Sequence, residues 1–195
     1  MKHSRYASIT SWLASLALTL LFVVPAAAQD TADVFGQKVP LTELAVLDGA
    51  GASSSLDTYR GTSGLVLIFW EPSCLWVQRY TDRLRAVEAQ YREQGVNVIY
   101  VQRAGTAPTE AVTPDANRTV LYDDGALASR LGIIRAPQIA IFDANDVFLY
   151  RGGIDDSPGD AANINDPYLD RVVNALATKQ ALEAFETQAF GCILK

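Results

Sequence analysis

Gly64-Leu65-Val66-Leu67-Ile68-Phe69-Trp70-Glu71-Pro72-Ser73-Cys74 is the stretch that decides the fold class. Residues 64–70 carry no charge and almost no polarity, the pattern of a strand buried on both faces at the centre of a sheet. Glu71-Pro72-Ser73 ends that strand. Cys74 then opens a helical pattern in which Val77, Tyr80, Leu84, Val87 and Tyr91 share one face, with Gly95 as the C-terminal stop. Val96-Asn97-Val98-Ile99-Tyr100-Val101 reads as a second strand, so strand, helix and strand form a crossover with parallel strands. Cys74 thereby sits at a helix N-terminus, where unpaired backbone N–H groups and the positive end of the helix dipole favour thiolate over thiol.

Upstream, Val34, Phe35 and Val39 around Gly36-Gln37 suggest a short hairpin. Leu44 to Leu47 suggests a strand entering a turn at Asp48-Gly49. Small and polar residues fill Ala50 to Ser55, and Leu56 to Gly61 reads as one helical turn closed by glycine. Downstream, Gln102 to Asn117 is expected to be a long loop, Thr119 to Tyr122 a short strand and Gly125 to Leu131 a short helix. Gln138 to Phe142 is a further strand, turned back by Asp143-Ala144-Asn145-Asp146 into Val147 to Arg151 as an antiparallel hairpin. The turn's acidic residues lack the remaining ligands of a calcium loop. Asp155 and Asp156 read as a solvated turn. A last helix is expected near Asp166-Pro167, with Asp as cap and Pro at the first helical position, burying Leu169, Val172, Val173 and Leu176. No internal repeat or domain linker is visible.

The chain has 195 residues. Its start reads as a secretory signal peptide over residues 1–28: a basic Met1-Lys2-His3-Ser4-Arg5, an apolar Trp12 to Val24 and the small residues Ala26-Ala27-Ala28. The alternative is a retained membrane anchor, for which the apolar core is short. Cleavage after Ala28 would leave residues 29–195 as one globular domain, periplasmic or secreted, with no membrane contact. It would remove Lys2 and Arg5 and no acid, moving the net charge from −6 to −8, which argues against nucleic acid as a partner. It would also remove His3 and Met1, the chain's only histidine and methionine. Ser-His-Asp and Cys-His catalysis, His-built zinc sites and haem with His or Met ligands are then excluded. We expect no resident metal and no cofactor. Two cysteines remain, Cys74 and Cys192, and in an exported protein such a pair usually bonds.

Phe69-Trp70-Glu71-Pro72-Ser73-Cys74 resembles the thioredoxin pattern of Phe-Trp shortly before the first active-site cysteine. Ile134-Arg135-Ala136-Pro137-Gln138-Ile139 is similar to the thioredoxin-fold loop in which a cis-proline faces that cysteine. Cys74 with Tyr80, the segments 91–96 and 150–156, and the terminal Glu186-Thr187-Gln188-Ala189-Phe190-Gly191-Cys192 resemble exported peroxiredoxin-like redoxins of the alkyl hydroperoxide reductase and thiol-specific antioxidant group. The resemblance spans residues 33–195. It implies a thioredoxin-like three-layer α/β sandwich, a mixed sheet with helices on both faces. It also implies a Cys74 redox thiol that attacks a peroxide or a disulfide, with an external thiol as reductant.

The chain departs from those families at three positions. Val77 stands where a dithiol enzyme has its second cysteine, so exchange within a local motif is excluded. Glu71 replaces the Thr or Ser that orients peroxide, and a carboxylate there opposes thiolate formation. Leu75 replaces the usual proline. Cys192 admits three roles: a tail thiol without consequence, a structural half-cystine, or a resolving cysteine that condenses with a sulfenic acid on Cys74. With a static Cys74–Cys192 bond, the chain would be a non-catalytic thioredoxin-fold binding module. Pro137 shapes its loop and by resemblance presents backbone to a bound peptide or thiol. Arg135 is either an exposed loop arginine or a positive charge for Cys74. Trp70 and Trp76 flank the cysteine as core residues or as walls of a groove. In the reduced chain, Cys74 should alkylate with a midpoint below the free-thiol value of about 8.5, measured as alkylation rate against pH. A midpoint at or above that value would show that the helix start does not activate it.

Overall fold

In chain order the elements are β1 (Ala45–Leu47), β2 (Ser53–Ser55), β3 (Gly64–Phe69), α1 (Leu75–Glu93), β4 (Val96–Arg103), β5 (Thr119–Asp123) and α2 (Ala126–Arg130). They continue with β6 (Arg135–Ala136), β7 (Gln138–Asp143), β8 (Phe148–Gly152), α3 (Tyr168–Ala177), β9 (Phe185–Glu186) and β10 (Cys192–Ile193). This computed structural model describes residues 33–105 and 118–194, apart from the side chain of Val87. The expected signal peptide, most of the expected 102–117 loop, Lys195 and the place of Val87 on its helix lie outside the described residues.

Every side chain of β3 is buried, as its unbroken apolar run predicts. Because successive strand residues point to opposite faces, the run divides between two cores. Val66 and Ile68 join Val77, Tyr80, Leu84 and Tyr91 of α1 and Leu169, Val172 and Val173 of α3. Leu65, Leu67 and Phe69 join Leu41, Leu44, Leu56, Leu127 and Leu131 on the other face. Ile139 and Ile141 of β7 follow the first set, and Ala140 and Phe142 the second. The described residues thus form the expected three-layer α/β sandwich.

The main sheet runs β2-β1-β5-β4-β3-β7-β8-β9. β3 pairs parallel with β4, as the crossover requires, and β4 pairs parallel with β5. β7 pairs antiparallel with β3 and with β8, which makes the sheet mixed. β6 and β10 form a separate two-stranded ladder. Gly95 stops the helix for a steric reason: its φ is +78°, and a Cβ there would lie 2.2 Å from Thr62 Oγ1.

Several local expectations change. Residues 34–39 form a turn rather than a hairpin, and Lys38 bridges Val147, so their partner is the distant β8 region. The polar 50–55 stretch ends in the edge strand β2, which antiparallel pairing to β1 stabilises. Pro167 takes the N-cap of α3, while Asp166 is engaged by Arg171 at 2.9 Å. The Asp155-Asp156 turn is not solvated as a unit. Asp155 is buried and accepts from the Tyr80 hydroxyl (2.8 Å), Arg83 Nη1 (2.8 Å) and the Ser157 amide (2.9 Å). Burial, together with this carboxylate, pushes the Tyr80 hydroxyl well above its ordinary pKa. Asp155 therefore ties α1 to the loop after β8. Asp155→Ala would strand these donors, and we expect a loss of about 3–5 kcal/mol, measured by urea unfolding with an unchanged m-value.

A candidate thiol–disulfide site

Cys74 occupies the N-cap of α1, with no side-chain cap, after a turn in which its amide donates to the Glu71 carbonyl at 2.9 Å. The Glu71 carboxylate is held by the Ser73 amide (3.1 Å) and hydroxyl (2.8 Å), so this side chain shapes the turn that presents the cysteine. Cys74 is joined to Cys192 by a disulfide within the chain, Cα to Cα 5.9 Å, across a sequence separation of 118. That pairing removes the tail-thiol role for Cys192. Closing so long a loop restricts the unfolded chain and contributes about 4–5 kcal/mol in the chain-entropy account.

The cis-proline loop is where the resemblance puts it. The Ala136–Pro137 bond is cis. Cys74 Sγ lies 3.3 Å from the Ala136 carbonyl oxygen. A disulfide sulfur carries no proton, so this is a close contact in the oxidised chain, and the same oxygen is placed to accept from a thiol after reduction. A carbonyl acceptor favours the protonated sulfur, whereas the helix start favours the ionised one. The loop itself is pinned by Gln138, which is buried and whose Oε1 accepts from the amides of Ile134 and Arg135, both at 3.1 Å.

Cys192 reaches this place through strand pairing. Cys192 is in register with Ala136 and Ile193 with Arg135, and the Leu194 amide donates to the Ile134 carbonyl at 3.0 Å. Arg135 donates from Nη1 to the Gly191 carbonyl at 3.0 Å, so its guanidinium holds the tail next to Cys192. Gly191 passes so close to the loop that a Cβ would lie 2.2 Å from the Ala136 oxygen and 3.0 Å from the Pro137 nitrogen. Further back, the Tyr150 hydroxyl donates to the Gly153 carbonyl (2.6 Å), the Thr187 hydroxyl donates to Tyr150 (2.6 Å) and the Gly153 amide donates to Thr187 (3.2 Å). This closed ring leaves none of its groups unsatisfied. Burial pushes the Tyr150 hydroxyl well above its ordinary pKa, so it stays a donor at any physiological pH.

Trp70 is buried and packs edge-on against Tyr100 at 5.2 Å, which makes it core rather than a groove wall. Trp76 is partly buried under the Arg79 guanidinium, 5.2 Å from the ring centroid. The structure thus brings Cys74, Cys192, Pro137 and Arg135 together and sets both tryptophans around the start of α1. Beside the tail, Arg130, Arg135 and Arg151 line a cleft of about 570 Å³ with Ile134, Gln138 and Glu186. Gln138, Gly191 and Thr187 are site residues that sequence reading did not single out. A glutamine opening an otherwise apolar strand and a glycine directly before the second cysteine were the available signals.

A family model described as "Domain of unknown function (DUF6436)" matches residues 47–194. The chain belongs to this DUF6436 family. No curated protein matches this DUF6436 member by sequence. Among solved structures, an uncharacterized conserved protein from Geobacillus kaustophilus is similar at 20% identity and TM-score 0.69, over 83% of this chain and 91% of that one. The bacterioferritin comigratory protein of Xanthomonas campestris is similar at 14% identity and TM-score 0.52, over 76% and 98%. A Chlorobium tepidum protein described as a thiol:disulfide interchange protein DsbE is similar at 22% identity and TM-score 0.50, over 62% and 85%. These likenesses show that the DUF6436 domain has a thioredoxin-like fold.

Gly191→Ala should drive the tail off the cis-proline loop. We expect a larger fraction of free thiol in the purified protein, read by mass after maleimide labelling, and full disulfide in the variant would contradict the close approach.

Proposed function

We propose that this chain is an exported, peroxiredoxin-like thiol oxidoreductase that cycles Cys74 and Cys192 between dithiol and disulfide. One observation carries the reading: the helix-opening cysteine is bonded to a tail cysteine directly over the cis-proline strand. A structural staple needs only two cysteines within reach. This bond is instead built where a helix N-terminus and a loop backbone meet, the surroundings that tune a thiol. Similarity in fold to the bacterioferritin comigratory protein, whose alkyl peroxide reduction activity is named with its structure, supports the peroxide branch. The signal-like leader supports export to the periplasm or beyond, where such a bond persists.

In the peroxide branch, the Cys74 thiolate attacks the distal peroxide oxygen. The O–O bond breaks, an alcohol or water leaves, and Cys74 becomes a sulfenic acid. Cys192 then attacks the Cys74 sulfur, forming the disulfide and releasing water. In the disulfide branch, the dithiol reduces an external disulfide to two thiols through a mixed disulfide. In either branch an external thiol restores the dithiol, itself becoming a disulfide. Peroxide has to reach a nearly closed Cys74, and Glu71 offers it no neutral hydroxyl.

The rival is the static binding module, favoured by the burial of Cys74 and by the anchorage of the tail through Thr187. A redox titration separates the two. A working bond should equilibrate with a glutathione or dithiothreitol buffer at a potential above about −300 mV, whereas a static one lies below it. Turnover of alkyl hydroperoxide or of a model disulfide should vanish in Cys74→Ser. In Cys192→Ser, multiple turnover should fall by about tenfold or more while one round of sulfenic acid formation survives. Unchanged turnover in Cys74→Ser would sink the enzyme reading.

A further inference from the structure

Gln138 opens β7, and the rest of that strand up to Phe142 is apolar. Its side chain is buried, at 6% exposed, and its Oε1 accepts from the Ile134 and Arg135 amides, both at 3.1 Å. Two backbone donors on one oxygen fix the orientation of the whole amide, so the Nε2 end is fixed as well. Nε2 has no partner among the described residues, and Gln138 lines the cleft of about 570 Å³ beside the tail. Pinning the loop needs only the acceptor. A covered donor without a partner costs stability, so this one marks where the cleft takes an acceptor.

The charges of the cleft suit an acceptor with a single negative charge. Arg130, Arg135 and Arg151 line it against Asp33 and Glu186, which leaves one positive charge in excess. Arg151 is committed, because it donates to both carboxylates and to the Leu131 carbonyl. Arg135 gives Nη1 to the Gly191 carbonyl, and its other N–H groups have no partner among the described residues. A guanidinium and an amide N–H suit a carboxylate, whose two oxygens can take one donor each. Ile134, which is exposed, and Ala189 add apolar surface for the body of such a molecule. Neither cysteine lines the cleft.

We infer that this cleft binds a small organic monocarboxylate, its carboxylate on Gln138 Nε2 and Arg135 and its apolar body along Ile134. The volume is that of a small-molecule site. A dianion such as phosphate fits less well, since its second charge meets Asp33 and Glu186. The site uses neither sulfur, so it is independent of the redox reading.

The test titrates the oxidised full chain with phenylacetate, followed by NMR at the Gln138 side-chain amide and the Ile134 and Ala189 backbone amides. Saturable shifts at these groups are expected, with a Kd of about 1 mM. The neutral counterpart 2-phenylethanol and inorganic phosphate should each bind at least about tenfold more weakly. Gln138→Glu keeps an oxygen to pin the loop and removes the donor, and it should weaken phenylacetate by about tenfold or more. Arg130→Glu reverses a lining charge at the exposed end of α2 and should weaken it by about fivefold, which decides the matter should Gln138→Glu not fold. Absence of a saturable shift, equal binding of phenylethanol or phosphate, or unchanged affinity in either folded variant overturns the inference. None of these outcomes bears on turnover at Cys74.

Discussion

The Cys74–Cys192 bond is the constraint on which the rest of the site depends, because it joins two segments that no short-range interaction would hold together. One is the turn at the end of the central strand β3; the other is the tail, which crosses the cis-proline loop as the short strand β10. A two-residue ladder has few hydrogen bonds and little apolar burial, so it is marginal alone. The covalent link converts that weak pairing into an intramolecular one with a high effective concentration. Gly191 permits the approach and Arg135 holds the carbonyl beside it.

The surrounding polar groups form closed accounts. Tyr150, Gly153 and Thr187 satisfy one another, and Asp155 satisfies Tyr80, Arg83 and Ser157. Arg151 donates to Asp33, Glu186 and the Leu131 carbonyl, which ties the start of the described chain and the tail to β8. The Arg151 hydrogen bonds hold the Asp33 carboxyl below its usual range. Buried polar networks are costly when incomplete and specifying when complete. Here they fix the path of the tail up to Thr187, and the last residues rely on the disulfide together with Arg135 and the β6–β10 pairing.

Much of this was legible in the chain. The apolar run before Cys74, the helical spacing after it and the strand after Gly95 identify the crossover, because periodicity records which faces are buried. Pro137 and its neighbours carry the resemblance that places a loop opposite the cysteine. The misreadings share a cause. Residues 34–39 looked like a hairpin because local alternation does not reveal a partner a hundred residues away. Asp155 looked solvated because an acidic pair in a Gly-rich stretch usually is, whereas Tyr80 and Arg83 meet it only after α1 packs.

By itself, then, the sequence determined the crossover, the position of Cys74 at a helix start and the choice of Cys192 as its only partner outside the leader-like segment. These follow from local periodicity, capping and composition, which a chain carries without being folded. The tertiary structure alone decided that the partner arrives within the same chain, over the Ala136–Pro137 backbone. It also decided that Cys74 is buried in the core while Cys192 packs against that core only partly covered. Those are properties of distance and accessibility between segments separated by 118 residues, and sequence spacing does not encode them.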